Sequence, residues 1–192
     1  MDPDFLSREE LLRAGFQAVG ARPRVSRKSC FYALTGSLGS DVRIDDFSIL
    51  KGRIEIGHHV HVAAFCIVSG ARGVVRLRDF CSLSARVSVY TGSDDYGSDL
   101  LSGANVPERY SKTIAGDVEV GRSALVGAHS VVLPGVVIGD AAAIGAGSVI
   151  YKSVPAGHYL VGTAGRLTFR KQRNVEGIMA LADEVLRNDG TL

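Results

Sequence analysis

A large excess of one charge, cysteine pairs and long apolar runs are all missing from this 192-residue chain, and each absence removes a class of protein. With 22 Lys and Arg against 20 Asp and Glu, the net charge is +2, so no basic surplus argues for nucleic acid as a partner. The three cysteines, Cys30, Cys66 and Cys81, are an odd, scattered set without metal-ligand pairs, which suits a reducing cytoplasm. No apolar run approaches membrane-spanning length. The first ten residues, MDPDFLSREE, are acidic and hold no apolar stretch of a secretory signal. What is present is 46% hydrophobic and 22% charged, the composition of one folded domain with appendages. A cytoplasmic protein without a membrane span is expected.

The apolar residues are arranged unlike those of a helix or a hairpin. In VGAHSVVLPGVVIGDAAAIGAGSVI, residues 126–150, glycine keeps interrupting. A helix interior disfavours Gly by roughly 1 kcal/mol relative to Ala, and a hairpin would alternate and carry turn pairs. Stepping by six from Val120 meets Val126, Val132, Ile138, Ile144 and Ile150, all β-branched. Four residues after each stands a small or β-branched residue: Ala124, Ser130, Val136, Ala142, Ser148, Val154. The register runs upstream through Leu38, Ile44, Leu50, Ile56 and Val62, slips by about three residues near VSGARG, and resumes at Leu77, Leu83 and Val89. Strictly spaced hexapeptides predict a solenoid in which three short strands make one triangular coil and both repeated positions point inward. Cys66 and Cys81 occupy the small inward slot and read as filler. Gly121, Gly127, Gly139 and Gly145 stand where the backbone is tight or closely approached.

The fold expected is an all-β parallel β-helix with an N-terminal helix and cap over 1–37, the coils over 38–166 and a basic segment with a helix over 167–192. Ser7 and Glu10 have capping-box spacing, with Leu12, Phe16 and Val19 as an apolar stripe. Ile178, Leu181 and Val185 share a face of the last helix. Both helices could cap the coils or make contacts between copies. The repeat vanishes between Val89 and Val118. The segment 91–117 is polar, glycine-rich and longer than an ordinary connection, so it is read as a substrate loop rather than a linker.

The stretches IEIGHHVHVAAFCIVSG, YTGSDDYGSDLLSGANVPERY, VGAHSVVLPGVVIGDAAAIGAGSVI and VGTAGRLTFRK together resemble the hexapeptide-repeat acyltransferases. They are similar to the galactoside and maltose O-acetyltransferases, and more so to polysaccharide-pathway sugar acetyltransferases with a SDDY loop. The resemblance implies a left-handed coil, a homotrimer with sites between subunits, and acetyl-CoA as donor. It further implies transfer to a hydroxyl of a sugar or sugar-containing acceptor, as in surface-polysaccharide biosynthesis, with a histidine as general base. The chain departs from the pattern in two places. Ser93, followed by Asp94 and Asp95, stands where the galactoside enzymes carry the catalytic histidine after TG, and the terminal motif reads Gly162, Thr163, Ala164 without its proline.

The base must therefore lie elsewhere, or a carboxylate must act. His61 lies between the inward residues Val60 and Val62 and so points outward from a strand, where a near-neutral imidazole suits a base. An outward histidine at a subunit contact is the plainer alternative. His61 and Asp94 are the catalytic candidates, and Ser93, Asp95, Tyr96 and Tyr110 the acceptor-binding ones. His129 is assigned to a corner or CoA wall, His58 and His59 to an exposed turn, and His158 to structure. The corners Gly127-Ala128 and Gly145-Ala146 are expected to offer N–H groups to an oxyanion and to pantetheine. Lys152, Arg166 and Arg170 are expected at the CoA phosphates, with Lys171 and Arg173 less favoured and a solvated basic tail as the alternative.

Three other functions compete. A γ-type carbonic anhydrase would need two histidines five apart, and none are, so no metal is expected. A nonenzymatic trimeric binding protein and an N-acyltransferase of an aminosugar nucleotide remain open.

Overall fold

The computed structural model describes residues 4–163, 166–171 and 173–188, with side chains outside 162–172. Its strands wind into a three-faced parallel solenoid. Face I stacks the strand ends at Val19, Leu38, Ile56, Leu77, Val120 and Ile138. Face II stacks Val25, Ile44, Val62, Leu83, Val126, Ile144 and Leu160. Face III stacks Phe31, Leu50, Val68, Val89, Val132 and Ile150. Strands Cys30–Leu38, Ile49–Ile56 and Ile67–Leu77 run round the edge between faces III and I and join those faces into one nine-stranded sheet.

Inward residues at both repeated positions are buried, from Val42 and Ile44 to Ile150 and Val154. Each such aliphatic side chain withdrawn from water contributes about 1.5–3 kcal/mol, so stacking of turns supplies the core. Serine is tolerated in the small slot because its hydroxyl finds a carbonyl. Ser48 Oγ donates to Ala63 O (3.1 Å) and Ser148 Oγ to Gly145 O (2.7 Å). A Cβ on Gly127 would sit 2.6 Å from the Ala146 nitrogen of the next turn, which explains glycine there as close approach.

The stack begins before residue 38, since Ala18–Val19 already pairs with Ser37 and Leu38. Val19, Val25 and Phe31 keep the step of six. One extra residue in the ladder between Tyr32 and Thr35 then displaces the register.

Helix α1, Arg8–Ala14, closes this end. Ser7 and Glu10 form the expected capping box, and Arg27 clamps the Glu10 carboxylate at 2.8 Å. The buried helix residue is Leu11, whereas Leu12 is exposed, so the expected stripe is corrected by one position. At the other end strand His158–Thr163 stacks on face II and pairs antiparallel with Arg166–Lys171. Helix α2, Val175–Asn188, buries Ala182 and Leu186, while Leu181 is 65% exposed and Val185 also faces out. The face predicted from Ile178, Leu181 and Val185 is thus not the packed one. Its docking is fixed by Arg122–Asp183 (2.7 Å) and by Arg173, which donates to the Ser123 and Ala141 carbonyls.

Candidate active site

One edge of the solenoid collects the irregularities. Face I to face II and face II to face III are always joined by six-residue steps among the described residues. From face III to face I the steps Phe31 to Leu38, Val68 to Leu77 and Val89 to Val120 are longer and Ile150 to Val154 is shorter, while Leu50 to Ile56 and Val132 to Ile138 are regular. The longest carries the loop. Its root is ordered: Gly92–Asp94 pairs antiparallel with Thr113–Ala115, and buried Thr91 donates its hydroxyl to Ser69 O (2.9 Å).

Under the loop, against face III, lies a cavity of about 690 Å³. Ser93 and Tyr96, two of the acceptor-binding candidates, line it together with the catalytic candidate Asp94. Asp95 and Tyr110 do not. The Asp95 carboxylate is held below the usual carboxylate range by the Lys112 ammonium at 2.8 Å and by the Gly97 N–H. Tyr110 lies under the Arg109 guanidinium at 4.7 Å. Sequence reasoning missed Lys51, Arg72, Tyr90 and Glu108, which also line the cavity.

His61 projects from face II, half-exposed, in register with Arg43 and Ser82. Its Nε2 meets Asp45 Oδ2 at 2.9 Å, and Arg43 Nε donates to Asp45 Oδ1 at 2.6 Å. Partial burial pushes the Asp45 carboxyl up, but the hydrogen bonds from His61 and Arg43 prevail and hold it below its ordinary value. Asp45 escaped the sequence reading because it lies one turn away. His61 does not line the loop cavity, so a single chain keeps His61 and Asp94 on different faces.

Of the remaining histidines, His58, His59 and His129 are turn residues and His158 opens a strand. His58 and His59 are half-buried rather than exposed. His58 Nδ1 accepts the Ser40 N–H at 3.1 Å, and His59 stacks on Phe80 at 4.8 Å. His129 is exposed at the edge between faces II and III with φ 60°. His158 sits 3.0 Å from the Ala156 carbonyl through Nδ1.

Gly127, Ala128, Gly145 and Ala146 flank that same edge on successive turns. The N–H groups of Gly127 and Gly145 are not available to a ligand as expected, because they donate to Ile144 O (2.9 Å) and Leu160 O (2.8 Å). The ladder leaves the alanine N–H groups unengaged among the described residues. Lys152 is exposed, 5.7 Å from the Tyr151 ring centroid. The side chains of Arg166, Arg170 and Lys171 lie outside the described residues, as does Ala164. Arg173 is committed to backbone carbonyls. Among the described residues no group of three His, Cys, Asp or Glu could hold a metal ion, and no helix is long and apolar enough to cross a membrane.

Comparison with known proteins agrees with this architecture. Residues 113–152 match the family described as bacterial transferase hexapeptide (six repeats). The dTDP-4-amino-4,6-dideoxy-D-glucose acyltransferase of Escherichia coli is 35% identical over 137 residues, covering 69% of this chain and 71% of that one. AntD, an N-acyltransferase from Bacillus cereus solved with dTDP and 3-hydroxybutyryl-CoA, is 34% identical over 97% of this chain and 98% of its own, with a TM-score of 0.88. A maltose O-acetyltransferase from Clostridium difficile, 20% identical over 90% of this chain and 79% of its own with a TM-score of 0.50, shares the fold. With a six-residue register that fills the core from Leu38 to Val154 and relatives matched along most of its length, this chain belongs to the hexapeptide-repeat acyltransferases.

Proposed function

We propose that the chain transfers an acyl group from acyl-CoA to the amine of a dTDP-linked 4-amino-4,6-dideoxy sugar, on a left-handed β-helix assembled as a trimer. The carrying observation is the 34% identity with AntD over nearly the full length of both chains. AntD was also solved with dTDP-4-amino-4,6-dideoxyglucose and coenzyme A. This favours the amine acceptor over the polysaccharide hydroxyl expected from the sequence. The donor is an acyl-CoA not confined to acetyl-CoA, in line with the 3-hydroxybutyryl-CoA found with AntD.

An amine acceptor also fits the missing loop histidine. A sugar hydroxyl needs a base during attack, whereas a free amine already carries its nucleophilic lone pair. The amine nitrogen bonds to the thioester carbonyl carbon, the C–S bond breaks, and CoA leaves as thiolate. The nitrogen then sheds one proton, and the thiolate takes one up. Asp94 would attract the ammonium form of the acceptor, take up the proton whose loss frees the lone pair and pass it to water, while the proton shed on amide formation goes to the thiolate. The loop of one copy laid over face II of the next would bring Asp94 towards the His61–Asp45 pair. His129 and the Gly127-Ala128 and Gly145-Ala146 corners, with Lys152, Arg166 and Arg170, remain the proposed CoA side.

The test is acyl transfer to dTDP-4-amino-4,6-dideoxyglucose against the same nucleotide sugar bearing a 4-hydroxyl. The amine should be acylated at least about a hundredfold faster. Equal rates, or transfer only to polysaccharide hydroxyls, would overturn the assignment. No turnover of any acceptor, with acyl-CoA bound, would favour a binding protein.

A further inference from the structure

The step from Val68 to Leu77 is three residues too long, and the ladder shows where the excess goes. Gly52 pairs with Gly70 and the next residue, Arg53, pairs with Val74, so residues 71–73 bulge from the edge. A bulge re-aims a side chain. Here the side chain is Arg72, which reaches the cavity under the loop.

The loop root is shaped to hold it. Arg72 N–H donates to Thr91 Oγ1 at 3.1 Å, tying the bulge to the first residue of the loop. A Cβ on Gly92 would lie 2.6 Å from Arg72 Cγ and 2.8 Å from its Cβ, so only glycine lets the arginine stem lie against the strand. The guanidinium meets Glu108 Oε1 at 3.3 Å, with the two side chains 53% and 86% exposed. Such a pair is weak and exchangeable. Lys51, from the turn before, lines the same cavity and makes no ion pair among the described residues.

The cavity is thus lined by two cations, Lys51 and Arg72, and, besides Glu108, by the Asp94 carboxylate. We infer that Lys51 and Arg72 seat a diphosphate, and that the bulge at 71–73 exists to hold Arg72 there. Two substrates of the proposed reaction carry a diphosphate, the acceptor nucleotide and CoA. Only the acceptor also carries an ammonium group to face Asp94, so the acceptor is the assigned occupant. This inference rests on the proposed nucleotide-sugar acceptor. Arginine contributes the paired donors that match phosphate oxygens, and lysine adds a point charge. Glu108 holds Arg72 in place until the phosphate displaces it.

The experiment titrates dTDP and CoA separately, by calorimetry, into the full chain and its Lys51→Gln, Arg72→Gln, Gly92→Ala and Glu108→Gln variants. Each cation variant should weaken dTDP about tenfold or more, in line with charge-assisted hydrogen bonds, and change CoA affinity less than twofold. Gly92→Ala should weaken dTDP as Arg72→Gln does. Glu108→Gln should bind dTDP as well as the parent or a few-fold better, which a misfolded variant could not do. A dTDP affinity unchanged in both cation variants overturns the seat while leaving the acceptor assignment intact. Loss of CoA affinity instead of dTDP affinity overturns it in favour of the donor. A parent chain that binds CoA but no dTDP overturns the nucleotide acceptor and this seat together.

Discussion

Two edges of the solenoid keep a six-residue step from turn to turn, and the third does not. The edges that hold the period are built from close backbone approach and inward side chains, with residues such as Phe47, Phe65 and Phe80 forced to positive φ at their corners. The third edge carries the extra residue near Tyr32, the bulge at 71–73 and the long loop, and the cavity lies there. Stacking makes regularity a condition of stability, so insertions survive only where they leave the core alone. The irregular edge is where the chain adds side chains beyond the repeat, and Asp94 and Arg72 stand there, whereas His61 and Asp45 project from the regular face II.

That contrast is broken most severely by a core truncation. Leu83→Ala, at a fully buried position on face II, should cost about 2–5 kcal/mol. At roughly 2–4 °C per kcal/mol for a chain of this size, calorimetry should read a drop of some 4–20 °C. Tyr96→Ala in the loop, 89% exposed, should move Tm by less than a degree or two. Equal losses would mean that the loop is part of the core.

Activity should invert the order. Asp94→Asn is expected to lower kcat by about 10²–10⁴-fold, the usual range for a proton-transfer group, with Tm unchanged. Full activity would remove Asp94 from the chemistry.

A mixing experiment sharpens the comparison between faces. If Asp94 and His61 meet only between copies, His61→Ala should also be impaired, and co-refolding it with Asp94→Asn should restore up to about a quarter of parent activity in a closed ring. No recovery would place both residues in separate sites or in one chain.

The smallest effect concerns the capped end. Arg27 and the Ser7 N–H hold the Glu10 carboxyl down at about 2, against 4.5 when unperturbed. A depressed carboxyl stabilises the fold above its unfolded value and loses that contribution as pH falls from 4.5 towards 2. Glu10→Gln should therefore flatten the fall of Tm across that window by a small margin and leave neutral-pH turnover unchanged.

Much of this was legible in the sequence because a period of six is simple to count and its violation is costly. The inward set, the cysteine slots and the capping box follow from local spacing. The first turn was hidden by one inserted residue, although Val19, Val25 and Phe31 obey the step. The packed faces of both helices were misjudged because neighbouring aliphatics, Leu11 and Leu12, Leu181 and Ala182 or Val185 and Leu186, compete for one face, and only docking chooses. The three-residue slip at 71–73 was legible, but the Asp45–His61 contact and the contacts of Arg72 were invisible for another reason. They join residues a full turn or more apart, and spacing along the chain does not say which outward side chains lean together.

The cysteine slots make the solenoid a clock for its own opening. Cys30 is exposed at the start of its strand, while Cys66 and Cys81 are wholly enclosed in neighbouring turns. Burial raises both enclosed thiols, Cys66 to about 11, and the thiolate is the reactive species. A thiol reagent should therefore mark one site per chain within its mixing time. The second and third marks would arrive only as fast as the central turns separate, reporting the unzipping rate of the middle of the molecule without any engineered probe.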